Sequence, residues 1–126
     1  MLAVALLCAG ASLGAIARWQ LSLWLNAGSW LPLGTLVANL AGGWLIGVAI
    51  AVFQAHPHLD PAWRLVLVTG FLGALTTFST FSMETVQLLQ AGRLGQAVLL
   101  SALHLAGSLA LTWVGLACGA ALARAG

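Results

Sequence analysis

Four long apolar stretches dominate the chain, at 2–25, 33–55, 62–89 and 96–123, with few polar residues inside them apart from one cluster in the third. A bilayer core about 30 Å thick needs about 20 apolar residues in helical conformation, so each stretch predicts a transmembrane helix. The connectors carry turn chemistry. Gly28 and Pro32 stop one helix and start another, His56–Pro61 places a proline at the entry of the third, and 91–95 holds Gly92 and Gly95. Trp19, Trp24, Trp30 and Trp63 fall near the ends of stretches, where interfacial tryptophans belong. The expectation is an all-α membrane protein, one domain over 1–126 with four spans.

Composition sharpens this. Of 126 residues 62% are hydrophobic and 5% charged, with 15 glycines and no lysine or tyrosine. A soluble domain carries about 25% charged residues, so these proportions exclude a soluble enzyme, a disordered tail and a nucleic-acid binder, which needs a basic stripe. Cys8 and Cys118 lie in apolar stretches as small packing residues. A cleaved signal peptide is rejected, because no positive side chain precedes the first stretch and no polar mature domain follows it. Four spans put both termini on one side, near Arg64 and Arg124. Arg18, roughly 24 Å along the first helix at 1.5 Å per residue, joins Arg93 on the other. Two arginines against two leave the positive-inside rule nothing to act on, which permits insertion in both orientations and an antiparallel dimer.

Polar residues inside a membrane helix are costly and therefore candidates for function. The densest group is Thr76, Thr77, Ser79, Thr80 and Ser82, interleaved with Phe78 and Phe81 and preceded by Gly70 and Gly73. Hydroxyl and β-branched residues compete for backbone hydrogen bonds, so the third helix is expected to break near Gly73–Ser79. Freed carbonyls would bind cations and freed amides anions; a kinked helix with back-bonded hydroxyls is the alternative. Phe78 and Phe81 share a helical face and offer positive ring edges to an anion. Asn39 brings two N–H donors to mid-span two, with Thr35 one turn before it. His104, Ser108 and Thr112, at i, i+4 and i+8, form one polar stripe on span four, readable as a pathway wall or as helix–helix hydrogen bonding. His104 alone is also readable as interfacial. Glu84 is the one carboxylate within a span, and His56 and His58 belong to a connector. The pairs Gly10/Gly14, Gly43/Gly47 and Gly115/Gly119 have helix-packing spacing. Donors and ring edges without a ring of carboxylates suit an anion.

Three segments, 70–84 (GFLGALTTFSTFSME), 34–47 (GTLVANLAGGWLIG) and 10–18 (GASLGAIAR), resemble in order and spacing the fluoride channel family of small bacterial membrane proteins, the Fluc or CrcB proteins. The resemblance covers nearly the whole chain. It implies a passive fluoride channel, not an enzyme, in the bacterial cytoplasmic (inner) membrane, built as an antiparallel dual-topology homodimer with two pores. Its role would be to let out fluoride that enters cells as the neutral acid. By resemblance, Phe78 and Phe81 turn ring edges to fluoride, and Asn39 donates to the ion. The stripe of His104, Ser108 and Thr112 is similar to the family's polar track, and the hydroxyls of Thr35 and Ser82 join the lining. Arg18 is similar to the arginine at the pore vestibule, and Glu84 to the carboxylate one turn past the phenylalanines. A structural sodium ion on the dimer axis would take the backbone carbonyls of Gly73 and Thr76. Ala74 and Ala11 stand where the family often has glycine, and Trp44 replaces a smaller aromatic; none touches an implied fluoride ligand.

Two rivals and one variant stand beside this reading, and the first shares the size and charge balance. A small dual-topology multidrug exporter needs a carboxylate in span one, which has none. An ion-coupled fluoride transporter would look to Glu84. A scaffold held only by glycine contacts gives no reason for the hydroxyl run, Asn39 and the polar stripe together.

Overall fold

A computed structural model describes residues 1–125. It is all-helical: α1 (Leu2–Leu25), α2 (Leu33–Ala55), α3 (Pro61–Arg64), a π-helical segment (Leu65–Leu72), α4 (Gly73–Leu75), α5 (Phe78–Gln90) and α6 (Leu94–Ala125). The segments from α3 to α5 form one stretch, Pro61–Gln90, so four stretches of 24, 23, 30 and 32 residues are long and apolar enough to cross a membrane. The third and fourth extend past the expected 62–89 and 96–123. Asp60 caps α3 through the Ala62 amide at 2.8 Å, with Pro61 in the first turn, and α6 already begins at Leu94.

The connectors close by side-chain and backbone caps. Asn26 Oδ1 accepts from the Gly34 amide at 2.6 Å, supplying the first turn of α2, which has no cap of its own. After α5, Gly92 takes φ 72° and the Arg93 amide donates to the Leu88 carbonyl at 2.8 Å. That six-to-one closure needs a left-handed residue, which glycine adopts without penalty.

Glycines set the helix pairing. On α1, a Cβ at Gly10 would strike the Val66 carbonyl and one at Gly14 the Phe71 carbonyl. On α2 and α6, a Cβ at Gly47 would strike the Thr112 carbonyl and one at Gly115 the Trp44 carbonyl. These are backbone-to-backbone approaches that only glycine allows. Span one therefore lies on the first half of span three, and span two on span four. The buried core between the pairs is small (Ala38, Leu72 and Leu75), and large apolar side chains such as Leu109 and Trp113 face outward, as a lipid-facing surface requires.

Helical dihedrals stop at Leu75. Thr76 has φ −79°, ψ 150° and Thr77 φ −150°, ψ 112°. Helix resumes at Phe78 because the Thr77 hydroxyl accepts from the Thr80 amide at 3.1 Å, a side-chain N-cap. Gly73 itself remains helical at φ −62°.

Gly14→Val is expected to destabilise the detergent-solubilised protein by about 1–3 kcal/mol, the usual cost of overpacking a close contact. Gly95→Ala, where a Cβ meets nothing within 4 Å, is expected to stay within about 0.5 kcal/mol of the parent. Thermal unfolding of the two variants side by side measures the difference.

Candidate functional site

The interruption at Thr76 and Thr77 frees peptide groups, and one side chain takes both of those of Thr77. Asn39 on α2 pairs with Thr77 through both its atoms: Oδ1 accepts from the Thr77 amide at 2.7 Å and Nδ2 donates to the Thr77 carbonyl at 3.0 Å. The remaining Nδ2 hydrogen goes to His104 Nδ1 on α6, also at 3.0 Å. Because Oδ1 must accept, the amide orientation is fixed, and because Nδ2 must donate, His104 Nδ1 is bare. The proton of the neutral ring therefore sits on Nε2, which is buried without a partner. His104 is only 3% exposed.

Around this knot lies a cavity of about 400 Å³. Phe81 is buried and stacks on His104, with ring centroids 4.5 Å apart at 24°. Phe78, 70% exposed, meets Phe81 edge-on at 5.4 Å and 70°. The wall is completed by Asn39, Gly73, Thr76 and Ser108 among apolar side chains. Gly42 lets the Thr76 methyl settle against α2, where a Cβ would strike it.

A second cavity, about 290 Å³, lies at the end where the 26–32 and 91–93 connectors meet. Glu84 lines it with Arg93, Gln87 and Asn26. Glu84 Oε1 accepts from Thr35 Oγ1 at 2.7 Å, while Oε2 is buried without a partner. Glu84 follows Phe81 by one helical turn on α5, and Leu100, which lines this second cavity, precedes His104 by one turn on α6. The two cavities thus succeed one another along the same pair of helices.

Of the residues singled out by sequence, Asn39, Gly73, Thr76, Phe78, Phe81, His104 and Ser108 come together at the larger cavity, and Glu84 lines the smaller one. Thr35 meets this arrangement through Glu84. Thr112, Ser82 and Arg18 line neither cavity. Thr112 Oγ1 donates to the Ser108 carbonyl at 2.8 Å, and Ser82 Oγ to the Phe78 carbonyl at 2.8 Å, each within its own helix. Arg18 Nε donates to the Ala74 carbonyl at 3.1 Å.

The donors expected to form a wall are thus mostly spent on protein partners. Both Asn39 hydrogens are committed, and of that set the buried His104 Nε2–H and the Ser108 hydroxyl, on two residues of the cavity wall, remain without a protein partner. Sequence marks Thr77 only as a member of the hydroxyl run and not as a site residue, although it is the residue that Asn39 clamps. Its signal is the hydroxyl three residues before Thr80 at the point where helix resumes.

Among the described residues no three His, Cys, Asp or Glu side chains gather to hold a metal. Here the interruption matters. The Thr77 amide, which a continuous helix would send to the Gly73 carbonyl, goes to Asn39, and the Thr80 amide goes to Thr77 Oγ1. Among the described residues no backbone amide reaches the carbonyl of Gly73 or Thr76.

The chain is similar to known proteins over most of its length. A family model described as CrcB-like protein, Camphor Resistance (CrcB), matches residues 5–116. A protein of Variovorax paradoxus (strain S110), named fluoride-specific ion channel FluC, is 60% identical over 123 residues, 98% of each chain. Proteins of the same name from Albidiferax ferrireducens and Paracidovorax citrulli are 60% and 55% identical, each over 92% of this chain and over 89% and 92% of their own.

Asn39→Ala would leave the Thr77 amide and carbonyl unpaired and is expected to cost at least about 2 kcal/mol of stability, given about 1–3 kcal/mol per buried orphan. Hydrogen exchange of the Thr77 amide, rising sharply in the variant against unchanged exchange in α2, is the measurement that checks it.

Proposed function

The chain belongs to the CrcB-like family, and on that premise we propose that it is a fluoride-selective passive channel that lets fluoride out across the bacterial cytoplasmic membrane. The observation that carries this is the 60% identity over 98% of both chains to a protein named as a fluoride-specific ion channel. The activity is conduction, not catalysis.

Fluoride must exchange tightly held water for protein donors, yet be held weakly enough to leave. His104 Nε2–H and the Ser108 hydroxyl offer such donors, and the Phe78 and Phe81 edges add positive quadrupole without a competing hydrogen-bond network. Asn39 acts first as a clamp. For it to donate to fluoride, the ion takes the place of His104 Nδ1. The smaller cavity, with Arg93 and Glu84, serves as the mouth on the same helices. Thr112 and Ser82 support the path through their helices, and a second turn of Thr112 or Ser82 hydroxyl toward the ion would cost the helix bond it now makes.

The functional unit in this reading is an antiparallel, dual-topology homodimer with two pores. Its supports are the two-against-two arginine balance and the exposure of Phe78, a residue of the cavity wall that a second copy would cover. The carbonyls of Gly73 and Thr76, reached by no amide, fit a hard monovalent cation that prefers oxygen ligands. They would hold a structural sodium ion, whose charge offsets carbonyl dipoles beside an anion path.

Liposomes loaded with potassium fluoride and opened with valinomycin are expected to lose fluoride rapidly, with no loss of chloride from matched vesicles. Phe81→Ile is expected to slow release by at least about tenfold, the loss of about 1.4 kcal/mol at the rate-limiting point. Absence of valinomycin-dependent release from folded protein would overturn the reading. For topology, a protease applied outside whole spheroplasts is expected to remove a C-terminal tag from about half of the copies, as an unbiased charge distribution implies; removal from all or none would overturn dual insertion.

A further inference from the structure

We propose that His56 and His58 form a binding site for one divalent transition-metal ion of the zinc type, held by two imidazoles at the end of α2 and completed by water. Neither residue lines either cavity, so the site stands apart from the ion path and does not depend on the fluoride-channel reading.

The connector between spans two and three is short and closed at both ends. His56 ends α2, its backbone amide donating to the Val52 carbonyl at 3.0 Å. Pro57 and His58 then form a turn that the Leu59 amide closes on the His56 carbonyl at 3.1 Å. Proline at the first corner fixes φ there. Asp60 starts α3 by capping the Ala62 amide. The two histidines thus occupy the first and third positions of one hydrogen-bonded turn, and the backbone keeps them near each other. Their ring centres lie 5.7 Å apart, with 73° between the planes.

The partner of His56 settles its tautomer. Nδ1 lies 3.0 Å from the Val52 carbonyl. A carbonyl can only accept, so Nδ1 carries the proton and the neutral ring leaves Nε2 bare. Histidines that bind a metal through one nitrogen almost always donate the other N–H to a carbonyl, carboxylate or water. That bond fixes the ring and makes the free nitrogen a better ligand. His56 has this bond already. His58 is exposed, which leaves its ring room to turn toward a shared ion.

The spacing suits such an ion. Imidazole nitrogen binds zinc at about 2.0–2.1 Å, which puts two ring centres on one ion about 5–6 Å apart. The observed separation falls in that range. Among the described residues no third His, Cys, Asp or Glu joins the pair, so water fills the remaining positions and binding is reversible. Imidazole ligands favour zinc, nickel or copper, whereas magnesium and calcium prefer oxygen. A bound ion would staple the last turn of α2 to the turn that leads into the third span.

The two roles of His56, bonding to the backbone and bonding to metal, are separable. In asparagine the amide nitrogen stands as many bonds from Cα as Nδ1 does in histidine. His56→Asn therefore keeps a donor for Val52 and removes the ligand nitrogen. Detergent-solubilised protein without a histidine tag would be titrated with zinc chloride, following the ring signals of ¹⁵N-histidine by NMR, with magnesium chloride as the control. One ion per chain is expected, with the signals of His56 and His58 shifting and those of His104 unmoved. His56 Nδ1 stays protonated while Nε2 takes the ion, and magnesium shifts nothing. His56→Asn and His58→Ala are each expected to weaken zinc binding by at least about tenfold. Unshifted His56 and His58 signals in excess zinc would overturn the site. So would parent-like affinity in the doubly substituted protein, which would put the ion on the thiols of Cys8 or Cys118 or elsewhere. Should His56→Asn fail to fold, His58→Ala decides alone, because that side chain is exposed: weakened binding supports the pair and unchanged binding refutes it.

Discussion

A transmembrane span that leaves its helix at Thr76 and Thr77 strips peptide groups of partners at a depth where water does not supply replacements, and the arrangement of the other spans follows from how those groups are repaid. Asn39 takes both polar atoms of Thr77. That fixes α2 against α5, sets the tautomer of His104 on α6, and leaves the imidazole stacked on Phe81. Three helices are thereby tied at one point by a single amide side chain. The cavity is the space beside that knot.

The knot can form only if helices come close enough, and here the glycines matter. Asn39 has a short reach. It meets both Thr77 and His104 because Gly43 and Gly47 bring α2 onto α6, and Gly42 admits the Thr76 methyl. On the opposite side, Gly10 and Gly14 draw α1 onto span three so closely that Arg18 finds a carbonyl in place of water. Small residues determine the distances, and polar residues then use them.

Much of this was legible in the sequence, because in a membrane composition alone nearly decides the architecture. Four apolar runs, turn-forming connectors and glycines four apart allow few arrangements, and the chain's hydroxyl run marked the site. What could not be read was which hydrogens are free. A threonine such as Thr112 presents the same side chain whether it faces a path or bonds back to Ser108, and the choice rests on a rotamer. Likewise the phenylalanines Phe78 and Phe81 look equivalent in a motif, yet one is largely exposed and the other buried, because only Phe81 lies over His104. Arg18 was conspicuous as a charge, but its partner is a backbone oxygen, which no sequence pattern advertises.

The π-helical segment Leu65–Leu72 carries a consequence for how such chains can change in evolution. A π turn holds surplus backbone relative to an α turn. Loss of that surplus residue with a return to α geometry would leave the downstream helix facing nearly the same way, because both kinds of turn close a full circle. A deletion in the α-helical part, Gly73–Leu75, would instead rotate everything downstream by about 100° per residue removed. Thr77 would swing off Asn39, and the phenylalanines off their cavity, with every side chain of the motif still present. The π segment is thus the place in span three where the chain can lose a residue and keep the register of its motif, so that gaps in its lineage should gather at Leu65–Leu72 and be missing from Gly73–Leu75.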